Sequence, residues 1–363
     1  MEDQEIERIV HGCREIYLYG AGVVANGAYK ALEGLWGIRP KGFLVTDRDS
    51  QVKEIEGIPV LTCEESRIDR KKSLVIIATP EEYHGPIEEL LKERGITCYL
   101  KLDSHTEYVL MGKYLKQTGR LKLVEDYETH SPLRDYNRAG VYMAVSHKDK
   151  LLAGVYEEKP WVRKIQVGAA LTQERICELT DLCEDSISHE NALYGELTAT
   201  YYSWKQGTYD ITGLFHYRRV LRVTEGQMGL LEKGVVDVIL PLPFVCTPDA
   251  SGQYGRYLLQ SDVRIMLDVI KDLDQRHYEE TLGILKRPYL YNYNMLIAKR
   301  EVYEDYCSWM FPLLKEIANR CEREKKNRMP RYVGRIGEVL TSVYFMRNET
   351  RWRIAHAEKV WRI

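Results

Sequence analysis

Three features predict an α/β protein of two domains, the first built on a parallel sheet. An apolar strand, Ile16–Tyr19, runs directly into Gly20-Ala21-Gly22-Val23-Val24-Ala25 and a helix reaching about Trp36. Strand and helix patterns then alternate as far as residue 103, the rhythm of βαβ units. A second region begins near residue 138, and its apolar strand after Asp210 runs without a turn into His216-Tyr217-Arg218-Arg219. The expected organisation is a first domain over residues 1–103, a helical connection over 104–137 and a second α/β domain over 138–363. A chain of 363 residues is long enough for two cores.

In the first domain the spacing is that of a nucleotide-binding turn. Gly20 permits the tight turn, Gly22 lets a phosphate approach the backbone, and the helix start supplies N–H donors with partial positive charge. A second strand, Gly42–Val45, leads to Asp47, placed to accept from a ribose hydroxyl. Glu56-Gly57 is a turn before the strand Ile58–Val60. A strand over Ser73–Ala78, a helix over Tyr83–Arg94 and the Gly95–Tyr99 segment complete the series. This region resembles the small Rossmann-like domain at the front of sugar acetyltransferases, which implies a bound nucleotide sugar. The alternative is a domain that has lost its ligand, since Thr79-Pro80-Glu81-Glu82 sets acidic residues at a strand end where a phosphate would sit.

Composition narrows the partners. Lys and Arg number 52 against 54 Asp and Glu, so no global field favours nucleic acid or an anionic membrane. Tyrosine is over-used, 26 against 5 Phe, and its flat face with a hydroxyl suits sugar rings and nucleobases as well as a core. Eight scattered Cys and nine His make no metal-binding spacing, and they read as thiols of a reducing, cytoplasmic compartment. The first residues lack the pattern of a signal peptide, and no run approaches a membrane span. Any membrane contact is expected to be peripheral, through Trp352 and Trp361.

The second domain carries the chemistry. From Ser188 to Gln206 the apolar residues Leu193, Leu197, Tyr201 and Trp204 recur at helical spacing, which predicts one helix capped by Ser188 and stopped by Gly207. In the strand that follows, a period of two sets His216 and Arg218 on one face and Tyr217 and Arg219 on the other. Adjacent guanidinium groups at a strand end suit a diphosphate, because each offers a planar fork of donors and a charge that persists near neutral pH. The other reading is a pair of arginines snorkelling at a sheet edge or bound to acidic neighbours.

The residues Asn191, Tyr194, Glu196, Leu197, Thr198, Ala199, Tyr202, Trp204, Lys205, Asp210, Gly213, Leu214, His216, Tyr217, Arg218 and Arg219 resemble the signature of a bacterial family of capsule and exopolysaccharide glycosyltransferases, domain-of-unknown-function family 4422. Val141–Lys148, Ile165–Leu171, Asn292–Leu314 and Arg331–Phe345 resemble its other patches. About the first 130 residues lie outside the resemblance. It implies a GT-A-like domain, a hexosyltransferase activity, a nucleotide-sugar donor and a glycan or lipid-linked glycan acceptor in capsule, exopolysaccharide or O-antigen assembly.

GT-A enzymes usually hold a divalent metal with Asp-x-Asp after a strand. Here His216-Tyr217-Arg218 occupies what looks like that strand end. Arg218 and Arg219, with His216, are therefore expected to stabilise the leaving diphosphate without a required metal. The alternative is a metal bound through Asp210. An inverting transfer needs a carboxylate base near the acceptor hydroxyl. Glu338, which resembles the Glu of the family's closing helix, is a catalytic candidate, with a surface pair to Arg335 as the alternative. The residues do not rank it as base against Glu196, Asp249 or Asp262. His147, Asn191, Glu196, Trp204, Lys205, Asp210, Tyr217, Asn294 and Arg335 are expected to bind substrate. Two other classes compete: an NAD-dependent sugar-modifying enzyme, which lacks a Tyr-x-x-x-Lys pair in the first domain, and a non-catalytic nucleotide-sugar-binding protein.

Overall fold

The computed structural model describes the chain apart from residues 48–52, 67, 71, 120, 129–131, 153–157 and 363. It divides into two compact units, residues 1–121 with 244–246, and residues 122–243 with 247–363.

The first unit opens with α1 (Asp3–His11), β1 (Glu15–Tyr19), α2 (Val23–Trp36) and β2 (Gly42–Val45). It continues through β3 (Glu54–Ile55), β4 (Ile58–Thr62), β5 (Ser73–Ile77), α3 (His84–Glu93), β6 (Tyr99–Lys101) and α4 (Ser104–Gln117). The sheet order is β3-β4-β2-β1-β5-β6, parallel except for β3. Strand order reverses beside β1, so the Gly20 turn lies at a topological switch point. Gly20 has φ +124°, and a Cβ there would lie 2.5 Å from the Ala78 carbonyl oxygen, so only glycine fits. Helix α4 was expected in a connection between domains. It belongs to the first unit instead, with its Met111 and Tyr114 against Gly27 and Gly34 of α2. Residues 120 and 129–131 of that expected connection lie outside the described residues.

The second unit contains β7 (Ala139–Val145), β8 (Val162–Gln166), α5 (Asn191–Tyr194), α6 (Leu197–Gln206), β9 (Ile211–His216), β10 (Arg219–Arg222), α7 (Glu225–Glu232) and β11 (Val238–Pro241). The short strand β12 (Phe244–Val245) falls within the first unit's residues, and β13 (Tyr289–Leu290) stands outside the second unit's large sheet. Helices α8 (Ser251–Tyr254), α9 (Gln260–Leu273) and α10 (Tyr278–Leu285) precede β14 (Leu296–Lys299), α11 (Arg300–Arg323), α12 (Tyr332–Arg347) and β15 (Ile354–Trp361). The mixed sheet runs β10-β15-β11-β14-β9-β7-β8, with β7, β8 and β9 parallel and β14 antiparallel to β9.

Both faces of this sheet are covered, and β7 shows why its sequence is apolar without alternation. Val141 and Met143 face one core with Phe215, Ile239, Ile297 and Met228 of α7. Tyr142 and Ala144 face another with Ile165, Leu214 and Ala199 of α6. Gly213, at the centre of β9, has no room for a side chain: a Cβ would lie 2.1 Å from the Leu296 carbonyl oxygen of β14. Gly213→Ala is expected to push these strands apart and to cost about 1–3 kcal/mol, the usual cost of overpacking. Thermal unfolding checks this, and an unchanged midpoint would contradict it.

Candidate active site

The helix expected over Ser188–Gln206 is broken. Gly195, at φ +59° and ψ −132°, ends α5 and turns the chain before α6. Ser188 accepts from the Ala170 N–H and donates to Asp181 instead of capping α5. The break places Glu196 at the start of α6, turned inward and buried, where an unbroken helix would have held it away from the apolar stripe.

The strand expected to run on through Arg219 also turns. β9 ends at His216, Tyr217-Arg218 is the connection, and Arg219 opens β10 opposite His216. The alternation of faces therefore fails: His216 and Arg219 meet as a cross-strand pair. The His216 Nε2–H donates to the Tyr293 carbonyl at 2.5 Å and lies 3.8 Å from Glu196 Oε1. Tyr293 and Asn294 both have positive φ, 73° and 52°, a strained turn that aims them here. Asn294 Nδ2 donates to Glu196 Oε1 at 2.9 Å and to the Gly334 carbonyl at 3.1 Å, while its Oδ1 accepts from Thr341 at 3.2 Å.

Helix α12 closes the site. Gly334 and Gly337 let it approach α5 and α6, since Cβ atoms there would lie 2.8 Å from the Tyr194 carbonyl oxygen and 2.5 Å from a Leu197 methyl. That approach brings Arg331, Arg335 and Glu338 to the end of β9. Arg219 lies between two rings, its guanidinium carbon 4.2 Å from the Tyr293 centroid and 3.9 Å from that of Trp361. Arg335 lies 4.0 Å from the Tyr257 ring.

The electrostatics follow from this crowding. Burial opposes the charge on Glu196, but His216, the Arg331 guanidinium and the Asn294 amide outweigh it and hold its carboxyl below the usual range. Burial lowers the His216 pKa and, with the Arg219 and Arg331 charges, prevails over Glu196 and the Tyr293 carbonyl, which favour the charged ring, so the ring is neutral near pH 7. Glu338 is pushed up to about 8, by burial first and then by the charge of Glu196. Near neutral pH its carboxyl is then largely protonated and can donate a hydrogen bond. Asp149 is raised by burial, and Arg331, Arg218 and His147 act on it in the opposite direction. Among the described residues, the buried Nε–H groups of Arg219 and Arg335 and the buried Nδ1 of His147 have no hydrogen-bond partner.

Several expected residues take other places. Asp210 stands at the opposite end of β9, about 20 Å from His216 at strand rise, and is ion-paired with Arg138. Neither substrate contact beside the arginines nor a metal there fits that position. Asn191 bonds the Gly195 carbonyl at 2.7 Å and Thr198 at 3.1 Å, and so secures the helix break. Trp204 and Lys205 lie at the far end of α6, with Trp204 stacked on Phe311 at 5.5 Å. Tyr217 stays in the turn, 5.5 Å from the Arg218 guanidinium. Trp361 packs on Arg219, and Trp352 donates to the Tyr344 hydroxyl at 3.3 Å. Among the described residues no group of three His, Cys, Asp or Glu is arranged to hold a metal ion, and no helix is long and apolar enough to cross a membrane. Sequence reasoning missed Arg331, Asp149 and the ring of Tyr293. The paired glycines of α12 and an Asp two residues beyond His147 were the available signals.

Residues 141–349 match the family described as domain of unknown function 4422. The chain belongs to that family. The DUF4422 segment opens within β7 and ends just after α12, so it contains the His216–Arg219 turn and Glu338, while Lys359 and Trp361 of β15 lie beyond it. The fold is similar to that of the apo form of a bifunctional glycosyltransferase, WbbM, with a TM-score of 0.51, 22% identity and 62% of this chain covered. The match spans 45% of that protein's chain. No curated protein matches. The mixed α/β architecture of this DUF4422 protein is thus one found in a glycosyltransferase.

Proposed function

We propose that this chain is a glycosyltransferase that moves a hexosyl group from a nucleoside-diphosphate sugar to a glycan or lipid-linked glycan, in cytoplasmic assembly of capsule, exopolysaccharide or O-antigen. The observation that carries the reading is the pair of buried guanidinium Nε donors, on Arg219 and Arg335, left without partners among the described residues around a carboxyl that is neutral near pH 7. Positive charge is in excess there: Arg218, Arg219, Arg331 and Arg335 act on Glu196, Asp149 and the protonated Glu338. A diphosphate supplies acceptors and negative charge together. Family membership and the likeness to a glycosyltransferase fold support the same class.

In this mechanism Arg218 and Arg219 take up the charge that develops on the leaving diphosphate, and the Glu338 O–H donates to it. His216 keeps its proton on Nε2, bound to the Tyr293 carbonyl, and Glu196 and Asn294 hold that turn in place. His147 and Arg335 contact the donor. In the first unit, Gly20, Gly22 and the exposed Asp47 line one end of the sheet, where a second nucleotide ligand would sit.

Fixed cations make a divalent ion unnecessary. Calorimetric titration of the full chain with uridine, guanosine and cytidine diphosphates in excess chelator is expected to show binding, and sugar transfer is expected to survive chelation. Failure of all three nucleotides to bind, or a complete and metal-reversible loss of transfer, would overturn the reading.

A further inference from the structure

A cavity of about 550 Å³ opens in the second unit between α6, α11 and the loop that leads into α5. It shares no residue with the arginine cluster. Its aromatic wall is Tyr201 and Trp204 of α6 with Phe311 of α11: Trp204 and Phe311 stack at 5.5 Å, and Tyr201 stands edge-on to both, at 5.7 and 5.0 Å. Asp185 and Glu190 face the Tyr201 ring from the loop, and their charges, with burial, raise its hydroxyl pKa. Lys205 and Lys315 line the same space. Lys205 rests over the Trp204 ring at 3.7 Å, and among the described residues neither lysine is paired with a carboxylate.

The lining selects its ligand. Carboxylates only accept hydrogen bonds and ammonium groups only donate them, so a ligand that satisfies both must do both. An anion meets Glu184, Asp185 and Glu190, and a cation meets two lysines, so neither is favoured. A neutral polyhydroxylated ring answers each group, and its C–H faces suit the aromatic wall. The volume lies within the range of small-ligand sites and holds two or so sugar rings.

We propose that this cavity binds sugar rings of the acceptor glycan, a carbohydrate site distinct from the diphosphate site. The assignment of those rings to an acceptor rests on the glycosyltransferase reading; the carbohydrate site itself does not.

Saturation-transfer NMR on the full chain, with the methyl α- and β-glycosides of glucose, galactose, mannose and N-acetylglucosamine, tests it. Transfer to ring protons of at least one glycoside is expected. The double variant Asp185→Asn, Glu190→Gln, which keeps acceptors but removes their charge, and the single variant Lys315→Ala, which removes a donor, should each weaken it about fivefold or more, with unchanged circular dichroism. Nucleoside-diphosphate affinity should not change in either, whereas Arg219→Ala should weaken the nucleotide and leave the glycoside bound. No transfer to any glycoside, or transfer that persists in both variants, overturns the site. Glycoside binding without any nucleotide binding would sink the transferase reading and leave the cavity's assignment standing.

Discussion

Replacing Arg219 by Ala is expected to lower turnover roughly 150-fold while leaving the fold intact. The expectation follows from a preorganised transition-state cation, whose removal costs about 3 kcal/mol. Arg219 is preorganised in a specific way: the Tyr293 and Trp361 rings hold its guanidinium from two sides, and no hydrogen bond to protein spends its Nε. Arg218→Ala is expected to act in the same direction. Lysine at either position should rescue only part of the loss, because it keeps the charge but has neither the planar fork nor the stacking face. Turnover measured beside thermal unfolding separates the two possible failures. Near-normal turnover in both Ala variants would make these arginines structural, and a large drop in unfolding temperature would assign Arg219 to packing between the rings.

Glu338→Gln is expected to remove a pH dependence of stability. The folded protein holds the Glu338 carboxyl at about 8, whereas in the unfolded chain it ionises near 4.3. Folding therefore takes up a proton between those values. Stability from this group is complete below about pH 4.3, declines as pH rises and levels off above about 8, where both states are ionised. At about 1.4 kcal/mol per unit the whole decline is roughly 3–5 kcal/mol. His216, lowered by burial, and His356, lowered to about 4 by burial, slope the other way below about pH 6.5, since each is neutral when folded and charged when unfolded. The difference between wild type and Glu338→Gln isolates the carboxyl. Urea midpoints from pH 5 to 9 should converge at the acid end and separate towards pH 8, with the variant the more stable. Parallel curves would show that Glu338 is ionised in the folded protein at neutral pH.

These two residues were both legible in the sequence, but not their chemistry. The adjacent arginines stood out because they end an apolar strand, but their convergence with Arg335 and Glu338 was not readable from it. Glu338 was legible only as a carboxylate on a helix. Its neutrality depends on Glu196, 142 positions earlier in the chain, and on burial that no local pattern encodes. Asp210 shows the converse: six positions from His216 looks close in sequence, but along a strand it is the far end of the sheet.

What the sequence determined by itself was local. The β1 strand, the Gly20 turn, α2 to Trp36 and β2 to Val45 all stand where apolar period and glycine chemistry set them, because each is decided within one window of residues. The helix break at Gly195, the turn at Tyr217-Arg218 and the joining of α4 to the first unit were decided by tertiary structure. In each case a distant partner outweighs local propensity: α12 pressed against α5 and α6, β15 paired with β10, and α2 beneath α4. The site is of this second kind. Asn294 reaches Glu196 across 98 positions and Tyr293 reaches His216 across 77, so its protonation states come from contacts that exist only once the sheet has formed.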